Sequence, residues 1–287
     1  MCDDDIHQGR VESSTMAGSG IGVALLSAPG GGGRAEAMAA VVETDVEVTT
    51  PDGVADAVLF HPDGPESWPG VLLWPDALSL RPVFRAMGRR LATEGYVVLV
   101  PNLYYRVKPA PVVEGSFDFN LPEDRARLTE LMGGVDNEGT DKDAKAHLAF
   151  LDAQPETDKT KGIGVQGYCM GGALAFRTAA VAPDRVAAVA SFHGGRLATD
   201  RPSSPHLLIE RTRAEYLVAV ADNDDQADPA AKDTLAAALA AAGRPGTVEV
   251  YPGAAHGWTV ADGGVYDEAA AEKAWSQLLD LYGRALA

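Results

Sequence analysis

The stretch Gly167-Tyr168-Cys169-Met170-Gly171 sets a thiol between two glycines, after an apolar run and before an alanine-rich one. A strand-to-helix turn this sharp needs small residues two positions either side of its apex. It gains a nucleophile raised above a sheet edge at the start of a helix, where the helix dipole favours a thiolate. The amide of Met170 then points to where an oxyanion forms when the sulfur attacks a carbonyl. The ordinary alternative is a buried cysteine acting as a small hydrophobe. The flanking glycines and the strand–turn–helix setting favour the nucleophile.

A thiol nucleophile needs a base, and the base an orienting acid. Of the six histidines, His7 falls in the N-terminal segment and His61 follows an edge strand. His147 sits in a helix among charged neighbours, and His206 follows Pro205 in a loop. His193 ends a strand in SFHGG, at the edge where sheets of this kind bind ligands, and is expected either to line the pocket or to be structural. His256, in YPGAAHGW, lies in a loop after the last strand and can swing over that edge. It is the expected base. The acid is expected from AVADNDDQADP, between nucleophile and base. Asp224 is the first choice, with Asp222 and Asp225 as rivals, while Asp228, before Pro229, is expected to cap the following helix. Nucleophile, acid and base then follow one another along the chain.

These residues need a sheet to position them, and the pattern supplies one. Residues 41–50 and 54–62 read as a strand pair turning at Pro51-Asp52-Gly53. Short apolar runs at 70–76, 96–102, 161–168, 185–195 and 215–224 read as buried strands, with a last strand at 247–253. Helical periodicity falls between them at 83–95, 122–134, 141–154, 171–182, 229–243 and 266–287. Alternating elements with strands apolar on both faces imply a mostly parallel sheet covered by helices on both sides. A long proline-containing connection over 103–121 is the kind of ordered loop that carries function.

With 287 residues and a hydrophobic content of 46%, the chain can bury a full core without staples. No linker or repeat interrupts it after residue 41, so residues 41–287 are expected to form one domain. Residues 1–40 are expected to be a flexible tail or a degenerate signal-like segment: the apolar centre is weak, and Asp3, Asp4, Asp5 and Glu12 face Arg10 alone at its start. The net charge of −17 and the lack of a basic stripe argue against nucleic-acid binding. No segment is suited to span a membrane. The two cysteines, Cys2 and Cys169, make no disulfide framework, and no Cys/His cluster has zinc spacing.

On these residues the chain resembles the dienelactone hydrolase family. The resemblance runs from about Val46 to the C-terminus and rests on GYCMGGALAF, AVADNDD, HGW followed by YDEAAAEKAW, and GYVVLVPNLYYR. It implies an α/β-hydrolase fold without a large lid, and hydrolysis of lactones or small esters by a cysteine–aspartate–histidine triad at Cys169, Asp224 and His256. It implies a second oxyanion donor at the amide of Ala77. An acidic residue meets the resting cysteine in the family; here Asp76 stands where the founding enzymes have glutamate. Enzymes that act on dienelactone itself hold its carboxylate with arginines, one of them four residues beyond the histidine, where this chain has Val260. Arg81, Arg106, Arg125 and Arg211 are the other cations that could serve. Trp74, Tyr104, Tyr105 and Trp258 suggest an aromatic pocket. Asp76, Tyr104, His193 and Trp258 are the expected pocket residues.

The expected reaction is cleavage of a small-molecule ester or lactone through an acyl-enzyme, with no metal or organic cofactor, by a monomer or small homo-oligomer. The alternatives are a carboxylesterase or thioesterase acting on another acyl group, and a non-catalytic binding protein on a hydrolase scaffold. Some relatives carry a twin-arginine export signal where this chain reads Ser13-Ser14, which favours the cytoplasm; export is the alternative if residues 1–37 act as a signal.

Overall fold

The apolar runs build the strands of one sheet in the computed structural model, which describes residues 40–115 and 117–287. The N-terminal segment lies outside the described residues. The strands are β1 (Val41–Thr50), β2 (Gly53–Pro62), β3 (Gly70–Trp74), β4 (Val97–Pro101), β5 (Ile163–Tyr168), β6 (Val186–Phe192), β7 (Glu215–Ala221) and β8 (Gly246–Tyr251). Their order is β1-β2-β4-β3-β5-β6-β7-β8. The pairs β1–β2 and β2–β4 are antiparallel, and every pair from β4 to β8 is parallel. Strands β3, β4 and β5 are buried at every position, as continuous apolar runs in a doubly covered sheet must be.

Eight α-helices occur among the described residues: α1 (Pro82–Thr93), α2 (Pro122–Met132), α3 (Asn137–Ala153), α4 (Met170–Val181), α5 (Pro205–Leu208), α6 (Asp222–Ala227), α7 (Ala230–Ala242) and α8 (Glu268–Ala285). The period-2 alternation of β3 divides the core. Leu72 and Trp74 face the layer containing Leu148, Phe176 and Leu235, from α3, α4 and α7. Val71 and Leu73 face the layer containing Phe84, Leu91, Leu278 and Tyr282, from α1 and α8. Fully burying each such side chain is worth roughly 1.5–3 kcal/mol, so the two layers fix the sheet between them.

Two boundaries differ from the sequence reading. Helix α3 begins at Asn137 rather than 141, because the Asp136 carboxylate accepts the Gly139 N–H at 2.7 Å and starts it early. Asp228 does not cap α7 with its side chain: Pro229 holds the cap position. The acidic cluster instead forms the separate short helix α6, with Asp222, Asp224 and Asp225 in its first turn, and the Asp228 N–H closes that helix on the Asp224 carbonyl at 3.0 Å. Carboxylates in a first turn suit the positive end of the helix dipole. At its other end, α7 stops at Gly243, left-handed with φ 62°, as the sequence predicts.

Candidate active site

The turn between β5 and α4 is tight because two backbones meet there. A Cβ built on Gly167 would lie 1.9 Å from the Gly171 carbonyl oxygen, and one on Gly171 would lie 2.5 Å from the carbonyl oxygens of both Trp74 and Pro75. Only hydrogen fits at either position. At the apex, Cys169 takes φ 53° and ψ −117°, a conformation that costs a non-glycine residue of order 1–3 kcal/mol. Its N–H is held by the Phe192 carbonyl at 3.1 Å and by His193 Nδ1 at 3.2 Å. The thiol is half-buried and lines a cleft of about 910 Å³ at the carboxyl ends of β3, β5 and β6, with His256 from the loop after β8.

His256 faces Asp224, whose Oδ2 lies 2.6 Å from its Nδ1. The side chain of Asn223 accepts the His256 backbone N–H at 2.7 Å and fixes the loop. The other aspartates of the cluster are engaged elsewhere. Asp222 accepts the Gly253 N–H at 3.0 Å, and Asp225 pairs with Lys232 at 2.6 Å. Burial alone would lower the pKa of His256. Hydrogen bonds to Asp224 and to the Cys169 sulfur, with the charges of both groups, outweigh it and push the pKa up to about 10. An imidazolium is therefore stabilised between a carboxylate and the sulfur.

His193 behaves differently. It is buried, with φ 41° at the end of β6. Because its Nδ1 accepts the Cys169 N–H, its proton sits on Nε2, which donates to Thr259 Oγ1 at 2.8 Å. Burial, and then the charge of His256, holds its pKa well below the ordinary histidine value. The two imidazoles meet edge-on with centroids 5.0 Å apart. A neutral His193 is thus compatible with a charged His256.

Two amides at this edge of the sheet have no acceptor among the described residues. That of Met170 opens α4 and, as a first-turn N–H, has no intrahelical acceptor. That of Ala77 follows β3. The neighbouring amides of Leu78 and Ser79 donate to the Asp76 side chain and carbonyl, but the Ala77 amide meets no acceptor among the described residues. Tyr104 braces both residues from behind, its hydroxyl donating to the Ala77 carbonyl at 2.8 Å and lying 3.3 Å from Met170 Sδ. Asp76 is in the cleft but chelates Arg81, with Oδ1 and Oδ2 at 2.6 and 2.9 Å from its two terminal nitrogens.

Asp76 and His193 line the cleft, whereas Tyr104 and Trp258, also expected there, do not. Trp258 is fully buried, stacked on Tyr251 and edge-on to His193, so it supports the site from the core. Trp74 and Tyr105 are likewise structural. The Trp74 indole donates to Thr178, and the Tyr105 hydroxyl contacts Thr50 and Asp143. Arg106 is committed to Asp143 and Asp52, and Arg211 is exposed away from the cleft. The remaining wall comes from the connection after β4, through Val112, Val113, Phe117 and Phe119, and from Val260 and Val265 beyond His256. Sequence reasoning missed Asn223, Thr259 and Asp262. Asn223 adjoins the aspartate cluster, but nothing local marks it as the holder of a loop from another strand. Among the described residues no cluster has the composition of a metal site, and no helix is long and apolar enough to cross a membrane.

Residues 55–286 match the model of the dienelactone hydrolase family. A protein of Escherichia coli (strain K12), provisionally named a carboxymethylenebutenolidase, is 28% identical over 227 residues, covering 77% of this chain and 78% of that protein. The carboxymethylenebutenolidase of Pseudomonas sp. (strain P51) is 36% identical over 112 residues, 39% of this chain and 44% of the relative. Among solved structures, a provisionally named dienelactone hydrolase from Klebsiella pneumoniae superimposes with a TM-score of 0.75 at 21% identity, over 85% of this chain and 99% of that one. At that identity the superposition speaks for the α/β-hydrolase fold alone.

Proposed function

This chain belongs to the dienelactone hydrolase family and is a hydrolase of ester or lactone bonds, and from that premise we propose that it works through an acyl-enzyme on Cys169, with His256 as acid–base and Asp224 as its orienting acid. The observation that carries this reading is the convergence of three chain-distant residues at one sheet edge. Cys169 sits on its strained turn, His256 lines the same cleft as the sulfur, and Asp224 is 2.6 Å from the Nδ1 of that ring.

His256 takes the proton of the thiol as the sulfur attacks the carbonyl carbon. The carbon–oxygen π pair moves onto oxygen, where the amides of Met170 and Ala77 receive it. Each such donor is worth roughly 3–4 kcal/mol in related chemistry. Collapse breaks the bond to the leaving oxygen, which takes its proton from His256 Nε2 and leaves a thioester. In a lactone the leaving oxygen stays tethered to the acyl group. Water then gives a proton to His256 and attacks the thioester carbon. The carbon–sulfur bond breaks, the acid departs and the sulfur regains its resting state. Asp224 keeps the imidazole in the orientation that both transfers need.

The test pairs p-nitrophenyl acetate with a panel of enol lactones on wild type, Cys169→Ala and His256→Ala. The expected result is a loss of about 10³-fold or more in kcat/KM for both variants, with mass spectrometry trapping an acyl adduct on Cys169 in the wild type. Turnover retained by folded Cys169→Ala would sink the proposal. The relative rates on lactones, esters and thioesters separate the lactonase reading from an esterase or thioesterase one.

A further inference from the structure

The cleft is negatively charged, and its one guanidinium is fully occupied. Among the described residues, Asp76, Asp118 and Asp262 line it against Arg81 alone. Cys169 and His256 add no net charge whichever of them holds their shared proton. Arg81 sends Nε–H to Asp262 Oδ2 at 2.8 Å. Its Nη1 reaches Asp76 Oδ1 at 2.6 Å and the Ser79 carbonyl at 3.3 Å, and its Nη2 reaches Asp76 Oδ2 at 2.9 Å and Asp262 Oδ1 at 3.0 Å. All five N–H groups are directed at acceptors, and none faces the cleft unpaired. Asp118 accepts only from the amide and side chain of Asn120, and no cation pairs with it among the described residues. Arg125 is not itself a lining residue but donates to the carbonyls of Phe119 and Asn120, which are, and Lys108 pairs with Glu114.

We propose that this cleft selects against anionic acyl groups, and that its substrates are uncharged or cationic esters and lactones with an apolar body. The inference rests on the reading of Cys169 as the nucleophile. Among the lining side chains, three carboxylates against one guanidinium leave an excess of two negative charges, which the single guanidinium of Arg125, behind Phe119 and Asn120, offsets only in part. A substrate carboxylate entering there meets repulsion and gains no donor. An ammonium group meets Asp118 and Asp262, with the edge-to-face pair Phe117 and Phe119 beside them. The volume, about 910 Å³, is that of a pocket for a drug-sized ligand rather than for a bare lactone ring.

The experiment uses three p-nitrophenyl esters of matched chain length: a neutral alkanoate, a monoglutarate and a trimethylammonium butyrate. At low salt the monoglutarate is expected to have a kcat/KM about tenfold or more below the neutral ester, ~1.4 kcal/mol, and the cationic ester to equal or exceed it. The gap is expected to shrink about threefold or more in Asp118→Asn with Asp262→Asn, and in high salt. In parallel, a Cys2→Ser protein, whose sole thiol is Cys169, is alkylated with iodoacetamide and iodoacetate. The preference for the neutral reagent is expected to exceed that of N-acetylcysteine. Equal turnover of the monoglutarate and the neutral ester, a preference for the monoglutarate that Arg81→Met abolishes, or an alkylation ratio equal to that of the free thiol overturns the inference. These outcomes leave the hydrolase mechanism intact. Charge-selective alkylation without turnover of any ester upholds the inference and overturns the mechanism. Inertness of Cys169 to both reagents overturns both.

Discussion

Replacing Gly167 by alanine adds a single methyl group and should abolish the site. The new Cβ would sit 1.9 Å from the Gly171 carbonyl oxygen, 2.2 Å from its carbon and 2.7 Å from the Gly172 nitrogen. Non-bonded atoms need about 3.2 Å or more, so β5 and the first turn of α4 must part by about 1.3 Å. All three clashing atoms are backbone, so no side chain can swing away. Strand β5 is pinned between β3 and β6, which leaves the start of α4 to move, and with it the Met170 amide and the sulfur of Cys169. Overpacking of this kind costs about 3 kcal/mol, which lowers the melting temperature by about 6–12 °C. A 1 Å misplacement of reacting groups costs about 10²-fold in rate, which sets the expected loss in kcat/KM. Hydrolysis of p-nitrophenyl acetate, scanning fluorimetry and circular dichroism measure the three quantities. The control is Gly283→Ala, an exposed site in α8 where a Cβ meets nothing within 4 Å. It should stabilise the protein by about 0.5–1 kcal/mol and leave activity unchanged. A Gly167→Ala protein that keeps more than about a tenth of wild-type kcat/KM, or melts within about 2 °C of it, would refute the packing argument.

Two further outcomes are expected. His256 has a pKa of about 10 in the folded protein against an ordinary value of 6.5, so its contribution to stability is complete below about pH 6.5 and fades as the pH rises through about 10. The Tm gap between wild type and His256→Gln should therefore be widest near pH 6 and close towards pH 10; a gap that widens over that range contradicts the pairing. Trp258→Phe should leave KM unchanged, since this ring lies behind the cleft rather than in it. Its indole N–H is buried with no acceptor among the described residues, so removing it offsets part of the lost packing and holds the destabilisation to about 1–2 kcal/mol; a changed KM with unchanged stability would reverse that assignment.

The elements and their chemistry were legible in the sequence wherever the cause is local. The two glycines around Cys169, the left-handed stop at Gly243 and the unbroken apolar runs of β3 to β5 each report a constraint within a few residues of themselves. So the strand–turn–helix could be read, and with it the placing of the cysteine at a sheet edge. The family resemblance was legible for the same reason, since it rests on short runs around those positions. Contacts between distant segments were not. Asp222, Asp224 and Asp225 lie within four residues, and their types are identical. The loop after β8 brings His256 to Asp224 and the Gly253 N–H to Asp222, while α7 brings Lys232 to Asp225. The same holds for Arg81, whose occupation by Asp76 and Asp262 joins segments 181 residues apart. Trp258 looked like a pocket aromatic because it adjoins His256, but the turn after that histidine sends the indole into the core against Tyr251. A side chain's type and its local backbone are properties of the sequence near it. Which partner it meets depends on how the helices on the two faces and the loops at the sheet's carboxyl edge pack, and only the tertiary structure decided that.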